Sequence, residues 1–483
     1  MDRSRAASAL RQICRREVSN IAAEDMRVLS DPLLAAEGGA TDGVNGQRAP
    51  RKVASDVHNW LGGNGSQMSS RARSKRAGSS VAERVAEEPV HQGSTWGQVA
   101  EDQIPGFFSP VSDIFAVKDM VIGSYVNLLL VFVPLGFAVH YLKMNAVIIF
   151  FTNFLGLIPL ALILGDCTED LAVRFGDIIG GLLNATFGNV VELILSIAAL
   201  QKDLFYVVAT SLMGSVLSNL LLVLGCCFLF GGLFYKTQRF NTTVGKAGNS
   251  LLMLVCIGIV MPTLLTSINE SAKDLALPLS RGIAILLTLV YIIYLYFQLY
   301  SHSEIINEKW KDAAAEEGDE EEEEEVPSLS VSGGFLLLGV ITVVVAFMSE
   351  FLTGSIEEVS QQVPWLNQGF LGMILLPIAG NACEHITAVL VAMKNKMDLS
   401  IGVAVGSSVQ IALFVIPVMV LVGWAMDKPF TLEFDLFAVI MLTLSVVLTA
   451  NVTYDGESNY LLGVQLVCVY ALLTIAYLIG AAK

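Results

Sequence analysis

Gly188-Asn189-Val190-Val191-Glu192-Leu193 returns as Gly380-Asn381-Ala382-Cys383-Glu384-His385, 192 positions later. Both copies lie within long apolar runs. Gly214-Ser215 returns as Gly406-Ser407, and Gly180 as Gly372, in the same register with no insertion between them. Three matches at one offset mark an internal duplication. A charged carboxylate at the centre of an apolar helix costs roughly 2.5–3.5 kcal/mol on insertion scales, so such a residue points to function by default. Here two of them, Glu192 and Glu384, occupy equivalent places.

The surrounding chain supplies the context. Of 483 residues, 54% are hydrophobic and only 15% charged, against about 25% charged in soluble domains. Mean hydropathy is +0.63. Apolar segments fall near 122–141, 145–165, 174–200, 205–232, 248–266, 280–300, 330–352, 369–393, 399–424, 433–451 and 460–480, each with about the 20 residues that span a bilayer as a helix. The runs are continuous rather than alternating, which favours helices over a barrel. The expected fold is therefore an all-α polytopic membrane protein of about 11 transmembrane helices. One N-terminal helix precedes two five-helix repeats, and the odd number per repeat inverts the second copy. Inverted repeats with matched interruptions place a binding site at the midplane, where the copies meet.

Four segments are expected: a mostly disordered cytosolic tail over 1–117, a first helix and repeat over 118–300, an acidic cytosolic loop or helix over 301–328, and a second repeat over 329–483. The tail is charge-balanced, rich in Arg, Ala, Ser and Gly, and carries no secretory signal pattern. Much of the excess negative charge, −16 over the chain, gathers in the loop, which holds the run Glu320, Glu321, Glu322, Glu323, Glu324 and Glu325. Such a block stays solvated. It reads as a spacer between the halves or as a weak cation-collecting, regulatory element, lacking the spaced ligands and Gly of an EF-hand. Lys236, Arg239 and Lys246, with Lys394 and Lys396, favour a cytosolic N-terminus, while Lys273 and Arg281 fall on the far side.

Several function classes drop out. Seven cysteines without paired spacing form neither a disulfide framework nor a zinc site. Five histidines and no H-E-x-x-H exclude a zincin-type hydrolase. No basic patch in the core points to nucleic acid. The expectation is a carrier rather than an enzyme, with no cofactor and no obligatory protein partner beyond the lipid bilayer. A passive cation channel would not need paired inverted repeats.

The residues around the two carboxylates suit a hard cation. Gly188 and Gly380 loosen the helix and free backbone carbonyls. Asn189 and Asn381 add amide oxygens, and Asn189, Glu192 and Ser196 share a helical face. Ser215 and Ser218, with Ser407 and Gln410, offer hydroxyl and amide oxygens from the following spans, or serve helix packing. Carboxylates with carbonyl and hydroxyl oxygens fit Ca²⁺. The carboxylates would titrate as a coupled pair. One divalent cation or two protons neutralise them, whereas the bare pair is costly to move past a membrane barrier. That is a sufficient basis for Ca²⁺/H⁺ antiport. Two protons moving down about two pH units release about 5.5 kcal/mol, enough for about a 10⁴-fold cation ratio in electroneutral exchange. His385, where the first copy has Leu193, reads as a proton relay or a structural hydrogen-bonder. Glu169 and Asp170, and Glu357 and Glu358, read as gating charges or as solvated helix ends.

The two signature stretches, with Gly402-Val403-Ala404-Val405-Gly406-Ser407-Ser408, Gly214 to Gly225 and Asp455-Gly456-Glu457-Ser458-Asn459, resemble vacuolar cation/proton exchangers of the cation/Ca²⁺ exchanger superfamily. The resemblance covers roughly residues 120 to 480. It implies Ca²⁺/H⁺ antiport at vacuoles or other acidic stores, sometimes with Mn²⁺. It implies that Glu192 and Glu384 bind the cation and exchange protons, that Ser215, Ser407 and Gln410 line the site, and that the acidic loop is a regulatory cytosolic helix. A sodium-coupled exchanger of the same superfamily is the alternative.

Overall fold

The computed structural model describes residues 109–269, 273–302 and 327–480. The acidic run Glu320 to Glu325 and most of the N-terminal tail lie outside the described residues. Polar residues begin many of the helices, satisfying first-turn amides that have no intrahelical partner. Asn145 accepts from Val147 N, Ser330 from Gly333 N, Asn367 from Phe370 N, Asp435 from Ala438 N, and Asn459 from Leu461 N and Leu462 N.

Helix α1 (Pro110–Gly123) starts inside the stretch that composition assigns to the tail. It meets the next helical stretch, Tyr125–Tyr141, at a bend of 101°; the latter ends in α2 (Phe132–Tyr141). Helix α3 (Ala146–Gly176) stops where Gly176 adopts φ +75°, a left-handed conformation that a side chain would strain. A short helix, α4 (177–187), follows, and α5 (Val190–Gln201) after it. Helix α6 (Phe205–Leu217) runs through a π-helical turn at Ser218–Val223 into α7 (Leu224–Phe234). Strand β1 (Gln238–Arg239), α8 (Thr242–Ile268) and α9 (Lys273–Tyr296) come next. Then follow α10 (Val331–Gln362), α11 (Gln368–Gly380) and α12 (Ala382–Met393), the last two bent by 63°. Helix α13 (Met397–Gln410) passes a π-helical turn at Ile411–Val415 into α14 (Ile416–Ala425). The order ends with α15 (Leu436–Val452), β2 (Glu457–Ser458) and α16 (Tyr460–Leu478).

Among the described residues, seven helices are long and apolar enough to cross a membrane, or nine if each bent pair is one span. The expected eleven differs from this by two short apolar helices, α5 and α15.

Polar ties at both ends set the helix pairing. Helices α3 and α10 run antiparallel. Asn145 donates to Gln362 Oε1 at one end, and at the other Asp170 accepts from Ser328 N, Ser328 Oγ and Leu329 N. The rods α6–α7 and α13–α14 also run antiparallel. Lys428 Nζ meets Asp203 Oδ1 at 2.6 Å at one end. At the other, the buried Gln238 donates to Asn395 Oδ1 and to the Ala392 carbonyl, beside the antiparallel pairing of β1 with β2. Asp203 and Asn395 sit at equivalent turns and both have positive φ, at 60° and 64°.

The two rods form the interior, while α9 and α16 show much of their apolar surface outward, as lipid-facing helices do. Small residues let the interior helices touch. A Cβ at Gly463 of α16 would overlap Leu229 N and lie 2.7 Å from the Gly225 carbonyl, whereas one at Gly339 of α10 would meet nothing. We therefore expect Gly463→Leu to destabilise the protein by about 1–3 kcal/mol. A fall in the detergent melting temperature beside an unchanged Gly339→Leu checks this.

Candidate cation site

Two matched interruptions build the site. The chain leaves helical geometry at Asn189 (φ −109°, ψ 22°) and at Asn381 (φ −97°, ψ 21°). Gly188 keeps helical angles, and Gly380 is the last residue of α11. The break therefore falls on the asparagine rather than the glycine. Glu192 and Glu384 then occupy the first turns of α5 and α12, where unsatisfied amides make a helix end favourable to negative charge.

The glycines still matter at one point. A Cβ at Gly380 would lie 2.7 Å from Glu192 Oε1. The first carboxylate therefore rests on the break that carries the second, and a side chain at position 380 would push it aside.

The oxygens around them lack protein donors. Both Glu192 oxygens, Glu384 Oε2, Asn189 Oδ1, Asn219 Oδ1 and Asn381 Oδ1 are buried acceptors without a hydrogen-bond partner, and Asn381 Nδ2 is a buried donor without one. His385 Nε2 is in the same condition. A cluster of buried acceptors without donors is expensive unless a cation or protons satisfy it. Exposure is unequal, however. Glu192 is 5% exposed, while Glu384 and His385 are half-buried.

One hydrogen bond ties the first interruption to the opposite rod, and another ties the two rods to each other. Asn189 Nδ2 donates to Gln410 Oε1 at 2.7 Å. Asn219 Nδ2 donates to Ser407 Oγ at 3.0 Å, and that hydroxyl donates to the Val403 carbonyl. Ser218 Oγ donates to the Ser215 carbonyl, and Ser215 is 2% exposed. Ser218 begins one π-helical turn and Gln410 directly precedes the other. Such wide turns shift the carbonyl register and recur at functional sites.

Sequence reasoning missed Asn219. It is fully buried, but its offset partner is Ile411, so the repeat comparison passes over it. The signal was there in another form, a polar residue beside Ser218 within an apolar span. The candidate gating charges occupy both ends of the α3–α10 pair. Asp170 holds the start of α10, while Glu357 and Glu358 are exposed near the other end of that helix, about 45 Å away along its axis. Glu358 accepts from Gln362. The exposed Glu169 adjoins Asp170. Ser196 is buried on α5, as its spacing from Glu192 predicts.

Among the described residues, no group of three or more His, Cys, Asp or Glu forms a conventional metal cluster. A divalent cation here would draw on amide, hydroxyl and backbone oxygens besides the two carboxylates, a mixed oxygen set that suits Ca²⁺ rather than Zn²⁺.

This interrupted-helix site in a bundle of apolar helices is that of a membrane carrier. The chain belongs to the sodium/calcium exchanger protein family, matched over residues 145–300 and 333–479, and within it to the cation/proton exchangers. It is 38% identical over 363 residues to a vacuolar calcium ion transporter of Schizosaccharomyces pombe, covering 74% of this chain and 86% of that one. It is 42% identical over 354 residues to a Ca²⁺/H⁺ antiporter of Aphanothece halophytica, covering 72% and 95%. The solved structure of native YfkE superposes with a TM-score of 0.63 at 34% identity, covering 74% of this chain and all of that one. An H⁺/Ca²⁺ exchanger crystal structure at 12% identity shares the fold, with a TM-score of 0.57.

The two ties predict coupled losses. Asn219→Ala leaves a buried hydroxyl without its donor and should weaken Ca²⁺ binding about tenfold. Asn189→Ala and Gln410→Ala should be non-additive by about 1 kcal/mol when combined, because either one removes the same bond. A double-mutant cycle on Ca²⁺ affinity reads both.

Proposed function

We propose that this chain is a secondary active antiporter that exchanges Ca²⁺, and also Mn²⁺, for H⁺ across the membrane of a vacuole or similar acidic store. The observation that carries this reading is the pair Glu192 and Glu384, placed in the first turns of two half-helices, with both Glu192 oxygens and Glu384 Oε2 buried without protein donors. The names of the relatives, vacuolar calcium ion transporter and Ca²⁺/H⁺ antiporter, support the cargo and the compartment.

In this reading α5 and α15 also cross the membrane, giving eleven crossings. The two bent pairs count as one span each, and α4 completes the span of α5. Spans 2–6 and 7–11 form inverted repeats with the site between them. The N-terminus and the acidic segment face the cytosol. The Gln238–Asn395 end of the rods is then cytosolic and the Asp203–Lys428 end is luminal.

The exchange needs only charge balance. With Ca²⁺ held by the two carboxylates and the amide and backbone oxygens at the breaks, the pair is neutralised. With two protons it is neutral again, and each protonated carboxyl becomes a donor to a neighbouring oxygen. The bare, doubly negative pair is the state that a low-dielectric interior disfavours, so the carrier changes sides only when loaded. Glu384, the more accessible of the two, exchanges first with the open side, and Glu192 completes the coordination. His385 relays protons beside it, and Glu169 with Asp170 collects cations at the cytosolic approach.

Reconstitution tests the reading. Proteoliposomes with an acidic interior should take up Ca²⁺, and clamping the pH gradient should abolish this. Glu192→Gln and Glu384→Gln should each abolish exchange with expression intact. Uptake driven by an outward Na⁺ gradient instead would move the protein to sodium coupling. Ca²⁺ binding must also displace protons. Its apparent affinity should therefore fall by more than about one decade per pH unit as the medium is acidified, approaching about two where both carboxyls carry protons. Isothermal titration at several pH values measures the slope, and a slope near zero would refute the shared site.

A further inference from the structure

The two repeats are not in the same conformation, and one glycine shows what the difference leaves room for. Gly214 of α6 is buried against α11, and a Cβ there would overlap the Met373 carbonyl and sit 2.8 Å from Pro377 Cγ. One turn further out, a Cβ at Gly372 would overlap the Thr210 hydroxyl. The half-helix α11 is thus clamped onto α6 through close backbone approach.

The offset of 192 carries Gly214 to Gly406 and Met373 to Gly181. The corresponding contact in the other half would join Gly406 of α13 to the backbone of α4 at Gly181. It is not made. A Cβ at Gly406 would meet nothing within 4 Å, and one at Gly181 would meet Leu299 Cδ2, beyond α9, at 2.5 Å. Half-helix α4 leans on Leu299 rather than on α13.

Gly406 does not simply point to lipid. It lies one helical turn before Gln410, on the same face, and Gln410 accepts the bond from Asn189 at the break following α4. Its Cα therefore faces the segment that its counterpart clamps in the other half. The half-buried Glu384 and the buried Glu192 agree with a passage open on the α4 side and closed on the α11 side.

We infer that Gly406 is the contact point of the opposite state: α4 swings off Leu299 and closes against Gly406 as α11 releases Gly214. Gly406 is then a positioning residue for transport. It contributes nothing to cation binding in the state shown, but its missing side chain is required for the other half of the cycle. This rests on the inverted-repeat carrier reading above.

The test separates binding from turnover. Gly406→Leu should keep Ca²⁺ binding within about threefold of wild type in detergent at alkaline pH, while exchange in proteoliposomes falls by more than about tenfold, since one end state is sterically removed. Gly339→Leu, on an outward face, should leave both unchanged. Independently, cysteines introduced together by Gly181→Cys and Gly406→Cys, in a chain whose native cysteines are replaced by serine, should form a disulfide under oxidant. That bond needs Cα atoms within about 7 Å, and forming it should stop exchange until reduced. Wild-type exchange in Gly406→Leu, loss of Ca²⁺ binding in that variant, or failure of the pair to cross-link would each overturn the inference. If wild-type protein shows no pH-driven uptake, the antiport reading falls while the cross-link still decides the role of Gly406.

Discussion

The approach of the Glu192 carboxylate to Gly380 is the contact around which the rest of the structure is arranged. A carboxylate only 5% exposed inside apolar helices has lost its water, and the protein offers neither of its oxygens a donor. An arrangement this costly persists only when surrounding structure over-determines it. The surroundings do so by placing the charge at the first turn of a half-helix, against a second half-helix end, with Asn189 and Asn219 held by Gln410 and Ser407. Each of these features needs the chain to break its own helix twice, at equivalent places.

The breaks are cheap where they occur because other groups absorb them. Asparagine tolerates the non-helical backbone at 189 and 381 and still offers an amide to the site. The π-helical turns after Leu217 and Gln410 widen the facing rods, so carbonyl register changes in both rods beside the candidate site. The ends of the rods compensate by being tightly fastened, through Asp203 with Lys428 and Gln238 with Asn395.

Much of this was legible in the sequence, for identifiable reasons. Helical class follows from apolar run length, and the paired carboxylates stand out because an insertion-free offset of 192 aligns them. What was hidden lacks periodicity or symmetry. Asn219 faces Ile411 in the comparison, the π-helical turns leave an apolar run unaltered in composition, and the Asp203–Lys428 tie joins residues 225 positions apart. The partners of the acidic residues at helix ends were equally hidden, because such residues look alike in sequence. Asp170 is occupied with Ser328 and Leu329, a contact with the start of a helix that no local spacing announces. The bend after Gly123 and the left-handed Gly176 are equally silent, since glycine is common throughout apolar helices.

The fastening of the rods also constrains how the site can change sides. With α6–α7 and α13–α14 tied to each other at both ends, a rocking of one rod against the other would have to break polar contacts at each face. Among the described residues, each half-helix shows a polar side-chain tie at one end: Asn367 at the start of α11 donates to the Tyr477 carbonyl, and Asn189 at the break after α4 donates to Gln410. Helix α4 is bounded by Gly176 and by the break at Asn189, and α11 by the turn after α10 and the break at Asn381. Their two placements against the rods already differ, one clamped on Gly214 and one leaning on Leu299. Small-residue contacts of this kind are made by close approach alone and are lost by displacements of an ångström or two. In the antiport reading proposed above, the bonds that set the frame and the glycines that seat the half-helices would serve opposite halves of one requirement: a site that reaches both sides of a membrane without opening to both at once.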